Sequence, residues 1–436
     1  MNTKHLNPWF GVVPIHWQNG QLKRFYSVRL GKMLQPNPSN PQDELVHYVR
    51  AANITWAGPD ISDIKMMWAS SSEIDNNQLE AGDLLVSEGG DVGRSCLWSV
   101  EIPRCIFQNA INRIRPRNEN STKFLRYVME AVKGSGWIDT ICNKATIAHF
   151  TAEKTNELDI PIPTPFHQRG IAAYLDEQTA KIDHLMALRR RQMELLKEQR
   201  AAAIQQAVTR GLNPNAPMKD SGVSWLGEIP AHWKVKRLRY LVEKGLVNGL
   251  FKKSEQFGSG AKLVNVFDIY RDDFIVDIES LDSVEVSESE KKQFSVEQGD
   301  LFFVRSSLKA SGIARAACMG AVTEPTVFEC HLVKSRPKKT IINPLFLSFF
   351  LNSDLSRNRL VSLAKTTTMT TIEQMKLADI EIPLLPLIEQ KSILDFIYNE
   401  NAKIEGLHAS YACQLTILAE YRAALIHECV TGQRQV

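Results

Sequence analysis

The sequence predicts an α+β protein: two tandem α/β domains separated by two long helices that pair as an antiparallel coiled coil. Three observations lead to this fold class. The same motifs occur twice in the same order along the 436 residues. Each copy contains short apolar runs that follow Gly-Asp turns, and each copy ends in a long segment with apolar residues at helical spacing. Repetition of this kind is the sequence signature of a repeated architecture, so we expect two similar units in one chain.

Three pairs of motifs mark the internal repeat. The segment VPIHW at residues 13–17 returns as IPAHW at 229–233, LEAGDL returns as VEQGDL, and IPI returns as IPL. From the third pair onwards, residues 160–209 and 382–431 align without a gap and share 18 identities over 50 positions. Before that point the copies share only short anchors and need insertions to align. The chain is therefore a tandem duplication in which the tails stayed alike and the heads diverged.

The tail of each copy predicts a long amphipathic helix of the coiled-coil type. Apolar residues recur at steps of three, four and seven positions, which is the spacing of one helix face. The two stripes are Leu175, Ile182, Met186, Met193, Leu196, Ile204 and Val208 in the first tail, and Ile397, Ile404, His408, Leu415, Leu418, Ile426 and Val430 in the second. A stripe of this length needs a partner. We predict that the two helices pair with each other; packing of each helix on its own head is the alternative.

These patterns divide the chain into heads, helices and a linker. In the heads, apolar runs that start at Leu84 and Leu301 after Gly-Asp turns predict strands, and residues 123–133 and 344–352 predict short helices. The predicted domains are residues 1–165 (first head), 166–212 (central helix), 213–221 (a Pro/Asn-rich linker), 222–387 (second head) and 388–436 (C-terminal helix).

Composition excludes several classes of protein. With 44% hydrophobic and 23% charged residues, the chain has the apolar content of a globular protein and not of a disordered one. Its longest nearly apolar run, residues 345–351, is far shorter than a membrane span, and the first ten residues lack the apolar core of a secretory signal. Seven scattered Cys without a CxxC pair argue against a disulfide framework and a zinc site. We therefore expect a cytoplasmic protein that does not enter a membrane.

The sequence contains no recognisable motif for catalysis or for binding of a metal or cofactor, so we predict that this chain has no catalytic centre, metal site or cofactor. The segment at 258–262 lacks the spacing of a phosphate-binding P-loop. Pro59-Asp60 and Asp63-Ile64-Lys65 superficially match a metal-dependent nuclease signature, but their carboxylates lie too close in sequence to come from separate strands. No His pair has metal-binding spacing, and the net charge of +3 is too small to indicate a nucleic-acid binder by itself.

Two loops in each head nevertheless suit a polyanion such as DNA. They combine Gly, Ser or Thr with a basic residue, so that hydroxyl and backbone N–H groups can bind phosphates while the cation releases counterions. The candidate DNA-binding residues are Arg50, Ser87, Gly89, Gly90, Arg94, Lys144 and Thr146 in the first head, and Arg305, Ser306, Lys309, Lys365, Thr366, Thr367 and Thr368 in the second. Each one alone is more typical of a solvated surface loop. Their recurrence at equivalent places favours a function for the set.

The order of these motifs resembles the specificity subunit of type I restriction-modification systems. A PxHW opening and a Gly-Asp strand come first, followed by a Ser/Thr-rich loop, the motif IP(I/L)xxxxxQ and a long helix that contains AKI(D/E). In this chain the last two motifs lie at residues 160–168 and 180–183 in the first copy, and at 382–390 and 402–405 in the second. The resemblance covers residues 13–432. One departure is His167, where the second copy has Glu389.

This resemblance implies that the heads are two target-recognition domains, each reading one half of a bipartite, asymmetric DNA sequence, and that the paired helices space them. It implies double-stranded DNA and two methyltransferase (modification) subunits as partners, together with restriction subunits that carry the translocase and nuclease. S-adenosylmethionine, ATP and Mg²⁺ would be bound by those partners. The expected function is non-catalytic: DNA recognition that directs adenine methylation and restriction.

Two other functions stay open at the level of the sequence. One is a scaffold or adaptor whose recognition-like domains lack sequence specificity. The other is a fused enzyme whose catalytic residues form no recognisable motif in the sequence. The length of the chain argues against the enzyme, because two heads and two helices leave no room for a methyltransferase or nuclease domain.

Overall fold

The computed structural model of the chain describes residues 7–142, 148–366 and 369–436. The first repeat contains strands β1 (Gln18–Gln21), β2 (Tyr26–Leu30), β3 (Glu44–Val49), β4 (Ile54–Thr55), β5 (Gly58–Pro59), β6 (Lys65–Ala69), β7 (Leu84–Ser87), β8 (Ser95–Leu97), β9 (Ile106–Phe107), β10 (Ile111–Pro116) and β11 (Asp159–Ile162). Its helices are α1 (Ser71–Asn77), α2 (Thr122–Gly134), α3 (Trp137–Ile141), α4 (Ala152–Glu157) and α5 (Pro165–Arg210).

The second repeat contains more strands than the first and a matching long helix. Its strands are β12 (Met218–Asp220), β13 (Glu228–Pro230), β14 (Lys234–Arg237), β15 (Val247–Asn248), β16 (Phe257–Val264), β17 (Ile275–Val276), β18 (Asp282–Val284), β19 (Leu301–Val304), β20 (Ser306–Ser307), β21 (Ala316–Met319), β22 (Thr326–Phe328), β23 (Leu332–Ser335), β24 (Lys365–Thr366), β25 (Thr370–Thr371) and β26 (Glu381–Leu384). Its helices are α6 (Glu288–Gln293), α7 (Pro344–Asn352), α8 (Asp354–Leu363), α9 (Gln374–Ala378) and α10 (Leu387–Thr431).

The chain folds into two compact units that do not coincide with the two repeats. The first unit comprises Met1–Arg190 and Ala412–Val436, and the second comprises Arg191–Tyr411. Each unit therefore consists of one head, the first half of the helix that follows it, and the second half of the helix that belongs to the other repeat. The two long helices and the α+β heads confirm the predicted fold class.

Each head is built on a main sheet and a smaller second sheet. In the first unit the main sheet has the order β2-β10-β7-β8, and β3 is the centre of the second sheet, β6-β3-β9. In the second unit the corresponding orders are β15-β23-β19-β21-β17 and β18-β16-β22. The pairs β3–β9 and β16–β22 are both parallel, whereas the central pairs β10–β7 and β23–β19 are antiparallel. The divergent heads thus keep one topology.

The central strands β7 and β19 are buried along their whole length, and both begin with a continuous apolar run, because the main sheet is buried on both faces. In β7, Leu84 and Val86 share a cluster with residues of α2, whereas Leu85 shares a cluster with Val49 of the second sheet. Residues of β19 alternate in the same way between the α7 side and the second-sheet side. Burial on two faces explains a continuous apolar run in place of the alternating pattern of a half-exposed strand.

The repeated opening and closing motifs of each head pair with each other. Strand β1, just after PxHW, pairs antiparallel with β11, which contains the IP motif, and β14 pairs with β26 in the same way. The two ends of each head are therefore joined immediately before the long helix begins. In the predicted linker, Met218–Asp220 forms a strand with Glu228–Pro230, an element that the Pro/Asn content did not indicate.

A buried glutamine at the start of each long helix ties that helix to its head. Gln168 Oε1 accepts a hydrogen bond from Ser121 N, the N-cap of α2, at 2.8 Å, and its Nε2 donates to Pro163 O at 2.9 Å. Gln390 Oε1 likewise accepts from Asn343 N, the N-cap of α7, at 2.7 Å, and its Nε2 donates to Leu385 O at 2.8 Å. A fully buried amide requires such partners, which accounts for the Gln at the end of both IP motifs.

The two long helices run antiparallel within each unit. In the first unit, the start of α5, from Ile171 to Ile182, shares a core with the end of α10, including Leu425 and Val430. In the second unit, Val208 near the end of α5 shares a core with the start of α10. Polar contacts follow the same arrangement, since Arg422 donates to Asp183 at 2.9 Å and its equivalent Arg200 donates to Asn401 at 2.7 Å. The antiparallel coiled coil predicted from the stripes is confirmed.

In the part of the chain that the structure describes, no helix is long and apolar enough to cross a bilayer.

The buried ends of the long helices should be required for folding. Val430 is fully buried in the core of the first unit, and Val430→Asp should destabilise that unit by about 3–5 kcal/mol, the usual effect of an uncompensated buried charge. The measurement is thermal unfolding of the full chain. Ile417→Asp, on the exposed face of the same helix, is the matched control and should change stability by less than about 0.5 kcal/mol. Equal melting temperatures for the two variants would contradict the assignment of this helix end to the core.

Candidate nucleic-acid interface

The same backbone hydrogen bond joins the turn after the central strand of each head to the segment that precedes the IP motif. In the first head, Phe150 N donates to Glu88 O at 2.9 Å, which joins the β7–β8 turn to the segment before the IP motif. In the second head, Ile372 N donates to Arg305 O at 3.1 Å at the equivalent positions. Each head therefore has one loop cluster at the end of its central hairpin. We name these the first and second loop clusters, residues 87–94 with 148–150, and residues 305–315 with 365–366 and 369–372.

The first loop cluster is shaped by Ser87 and by glycines. Ser87 is fully buried, and its Oγ donates to Gly89 O at 2.7 Å, so its hydroxyl holds the turn and is not available to a phosphate. Gly90 has a φ of 72°, which glycine adopts without strain. Gly89 and Gly90 remain at the accessible part of the turn, where backbone N–H groups can reach a ligand.

Two of the predicted cations of the first head are anchored by protein groups. Arg94 Nη2 donates to Ala51 O at 3.1 Å, and its Nη1 lies 3.8 Å from Asp91. Arg50 Nη2 donates to the carboxylate of Asp63 at 2.7 Å. The hydrogen bond from Arg94 to Ala51 O brings the chain next to Arg50 to the first loop cluster. Both side chains are partly exposed, and the charge of each is partly compensated by a nearby aspartate, Asp63 for Arg50 and Asp91 for Arg94.

Glu88 lies in the first loop cluster, within a predicted loop, but was not among the predicted DNA-binding residues. Its Oε2 is buried without a hydrogen-bond partner among the described residues. Burial raises the pKa of this carboxyl, and the charge of the nearby His149 lowers it in part. A carboxylate in a loop of this kind can accept a hydrogen bond from the amino group of cytosine. In the sequence, Glu88 could have been recognised as a candidate because it aligns with Arg305, a predicted DNA-binding residue of the second head.

The second loop cluster is a small sheet of hydroxyl-bearing residues. In this sheet, β25 lies between β20 and β24, so that Ser306 is opposite Thr371, and Thr366 is opposite Thr370. The hydroxyls of Thr366 and Thr370 are 3.3 Å apart. The structure therefore joins the predicted residues Arg305, Ser306, Thr366 and the adjacent Lys365 in one place.

The cations of the second loop cluster differ in their partners. Lys365 Nζ lies 2.6 Å from Glu373, which lowers the pKa of that carboxyl and raises that of the lysine. Arg305 and the exposed Lys309 form no ion pair with the described residues of the chain. Leu308, which lies between Ser307 and Lys309, is 84% exposed. It was not among the predicted DNA-binding residues. An apolar side chain at a loop tip can contact the methyl group of thymine.

Four predicted residues lie outside the described residues: Lys144 and Thr146 in the first head, and Thr367 and Thr368 in the second.

The aspartate of each Gly-Asp turn has a structural role. Asp83 binds Arg115 Nε at 2.5 Å, and Asp300 binds Arg336 Nε at 2.7 Å, at equivalent positions of the two heads. Both aspartates are buried, and the hydrogen bonds to Asp300 raise the pKa of Arg336. The repeated Asp therefore fixes the strand that follows the turn to a neighbouring strand. These arginines are held by the scaffold and are not free to bind DNA.

Within residues 7–142, 148–366 and 369–436, no group of three or more His, Cys, Asp or Glu side chains could hold a metal ion.

Comparison with known proteins gives consistent matches over both repeats. The family described as type I restriction modification DNA specificity domain matches residues 14–193 and 230–407. The type I restriction enzyme EcoKI specificity subunit of Escherichia coli (strain K12) is 23% identical over 358 residues, which cover 80% of this chain and 74% of that protein.

Two solved structures share the fold over nearly the whole chain. One is described as the structural basis underlying complex assembly and conformational transition of the type I R-M system, with a TM-score of 0.70 and 15% identity; the match covers 97% of this chain and 100% of the other. The second is the HsdS subunit from Thermoanaerobacter tengcongensis, with a TM-score of 0.58 and 16% identity over 97% and 98% of the two chains. At these identities the structural likeness establishes the fold alone.

The buried Asp300 should matter more for stability than the exposed carboxylate that binds the same arginine. Asp300→Asn removes charge-assisted bonds to Arg336 and should lower the free energy of unfolding by about 1.5–3 kcal/mol. Glu297, whose side chain is 61% exposed and 2.5 Å from Arg336, is the control; Glu297→Gln should cost less than about 1 kcal/mol. Denaturant unfolding of the full-length variants measures both changes. Losses of the same size would show that burial does not set the strength of this pair.

Proposed function

The chain belongs to the family of type I restriction modification DNA specificity domains, and from this premise we propose that each of its heads reads one half of a bipartite, asymmetric sequence in duplex DNA. The chain is the DNA-recognition component of a restriction-modification system and is not its catalytic subunit. In this proposal, the first and second loop clusters approach the DNA. Backbone N–H groups, hydroxyls and cations bind phosphates there, and side chains at the loop tips contact base edges.

This proposal rests on one pair of equivalent positions that have the same backbone contact in both heads but carry side chains of opposite charge. The same backbone hydrogen bond fixes Glu88 in one head and Arg305 in the other. Their side chains have opposite preferences in the major groove, since a carboxylate accepts from cytosine and a guanidinium donates to guanine. The scaffold around them, including the Gly-Asp turn and its arginine, is the same in both heads. Two heads that differ at this point suit two different half-sites.

We further propose that two copies of one methyltransferase subunit bind the long helices. Three pairs of equivalent positions on α5 and α10 expose large apolar side chains: Phe166 with Ile388, Leu185 with Leu407, and Leu195 with Ile417. Single exposed apolar residues are normal on protein surfaces, so it is their exposure at equivalent positions of both helices that supports the proposal. Because the same positions are apolar in both copies, they fit two identical partners better than two unrelated ones.

The chemistry would then lie on the partner subunits. The methyltransferase subunits would bind S-adenosylmethionine and methylate adenine, and restriction subunits would bind ATP and Mg²⁺ for translocation and cleavage. Such a complex acts on chromosomal and incoming DNA, so we expect it in the cytoplasm. A scaffold without sequence specificity, the competing hypothesis, gives no reason for loop clusters that keep their backbone and change their charge.

Exchange of one head should change one half of the target. The chain is expressed with its partner subunits, and methylated adenines are mapped across the genome of the host. Replacing residues 13–158 by the corresponding head of a family member with another target should alter one half-site and leave the other half-site and the spacer intact. The unaltered chain is the control and should give one bipartite, asymmetric sequence. Methylation without a sequence preference would favour the scaffold hypothesis, and a graft that changes both half-sites would exclude two independent readers.

The exposed apolar positions of the helices should be needed for assembly. Leu195→Asp and Ile417→Asp should each weaken binding of the methyltransferase subunits at least about tenfold, which corresponds to ~1.4 kcal/mol, with little change in melting temperature. Thr416→Asp introduces the same charge at the exposed polar position beside Ile417 and should leave binding unchanged. Analytical ultracentrifugation of the mixed subunits measures the assembly. Full assembly by both apolar-to-Asp variants would place the partner surface elsewhere.

A further inference from the structure

Two equivalent arginines occupy the same backbone position in the two heads. Arg94 follows Gly93, which has a φ of 81°, and Arg315 follows Ala314, which has a φ of 53°. The carbonyl of each arginine accepts a hydrogen bond from the end of the central strand: Ser87 N donates to Arg94 O at 2.8 Å, and Val304 N donates to Arg315 O at 3.0 Å. The two positions therefore correspond residue for residue within the first and second loop clusters.

The charge around these arginines differs between the heads. Arg94 lies 3.8 Å from Asp91 and donates to Ala51 O, so an acid and a carbonyl face its guanidinium, although its Nε has no hydrogen-bond partner among the described residues. Arg315 forms no ion pair with any described carboxylate, and a second cation, Arg357 of α8, binds the same loop, where its Nη2 donates to Ser311 O at 3.0 Å. In the first head an acid therefore compensates the charge of Arg94, whereas in the second head the loop that carries Arg315 is contacted by another cation, Arg357.

Arg357 is fixed by one hydrogen bond, but part of its hydrogen-bonding capacity is unused. Its Nη2 donates to Ser311 O at 3.0 Å, while its Nη1 is buried without a hydrogen-bond partner among the described residues. Burial, followed by the charge of Arg315, lowers the pKa of Arg357 to about 10. A buried N–H without an acceptor and two cations without an acid are both unfavourable in the free protein. An anion bound beside the two guanidinium groups would compensate their charges.

This pair of arginines borders the part of the second head that is proposed to bind DNA. Ser311 and Arg315 belong to the hairpin loop that also carries Ser306 and Lys309. At Gly312 an added Cβ would lie only 2.5 Å from Ser307 Oγ and 2.6 Å from the hydroxyl of Tyr270, so hydroxyl groups crowd against the backbone next to the two guanidinium groups. Hydroxyls and guanidinium groups together are the donors that proteins use for DNA phosphates.

We propose that Arg315 and Arg357 together bind one backbone phosphate of the DNA at the second half-site, a contact for which the first head has no counterpart. This inference rests on the proposed function, because it assumes that the second head binds duplex DNA. The contact fixes the position of the second head on the DNA and does not select a base, since phosphates carry no sequence information.

The test is the salt dependence of DNA binding. The chain, assembled with its partner subunits, is titrated against a duplex with the target found by methylome mapping, over a series of KCl concentrations. One lost phosphate contact should lower the slope of log K against log salt by about 0.9 and weaken binding roughly tenfold at low salt. Arg357→Gln should show this loss, and Arg357→Lys should keep more of the slope. The methylated sequence should stay the same for both variants.

Two controls separate the phosphate contact from a general change in charge or folding. Lys292→Gln removes a charge from an exposed position of α6 and should leave the slope unchanged. A neutral methylphosphonate is placed at single backbone positions of the duplex. At one position in the second half-site it should weaken binding by the unmodified chain, with no further loss for Arg357→Gln.

The outcomes distinguish the two levels of the proposal. An unmodified complex without sequence-dependent binding would overturn the proposed function. An unmodified complex that binds its target, together with Arg357→Gln at the same affinity and slope, would overturn the phosphate contact alone. Equal further loss for Arg357→Gln at every methylphosphonate position would also overturn it.

Discussion

Each core of this protein is completed by a helix end that comes from the other repeat. Val208 lies in the core of the second unit although it belongs to the first repeat, and Leu425 and Val430 lie in the core of the first unit although they belong to the second. A single repeat would leave its own apolar core uncovered at this point. Because each helix must fit both the head before it and the core of the other head, substitutions in the tails are constrained twice. This explains why the two tails remain similar while the heads diverge.

The buried glutamines fix the orientation of each head relative to the start of the long helix that follows it. A helix that began in a flexible loop could bury its apolar end and still let the head rotate. Gln168 and Gln390 prevent this, because each amide is fully buried and bonds both to the loop before the helix and to the N-cap of the main helix of its head. The cost of leaving a buried amide unpaired favours one arrangement over its alternatives. A head fixed in this way can present its loop cluster at a constant distance along the helix.

Much of the scaffold could be predicted from the sequence because it depends on local periodicity and on the repeat. The stripe from Leu175 to Val208 and the apolar runs after the Gly-Asp turns specify helices and buried strands over short stretches. The candidate site was predictable only in part. Ser87 looks like a phosphate donor in sequence, yet burial turns its hydroxyl inward, and the partner of Asp300 is Arg336, some 36 residues away. Such contacts depend on strand pairing, which no local pattern encodes.

The two heads show how one backbone can carry two different surfaces. Groups that hold the backbone are the same in both heads: the aspartate of the turn, its arginine, and the hydrogen bond from the segment before the IP motif. Side chains carried by this backbone differ in charge, with Glu88 and an acid-paired Arg94 in one head, and in the other Arg305 and Arg315, which form no ion pair with the described residues. The residues that hold the backbone are therefore distinct from the loop residues that differ between the heads. Side chains such as Glu88 and Arg305 can change, because the hydrogen bond that fixes their position is made by the backbone carbonyl and not by the side chain.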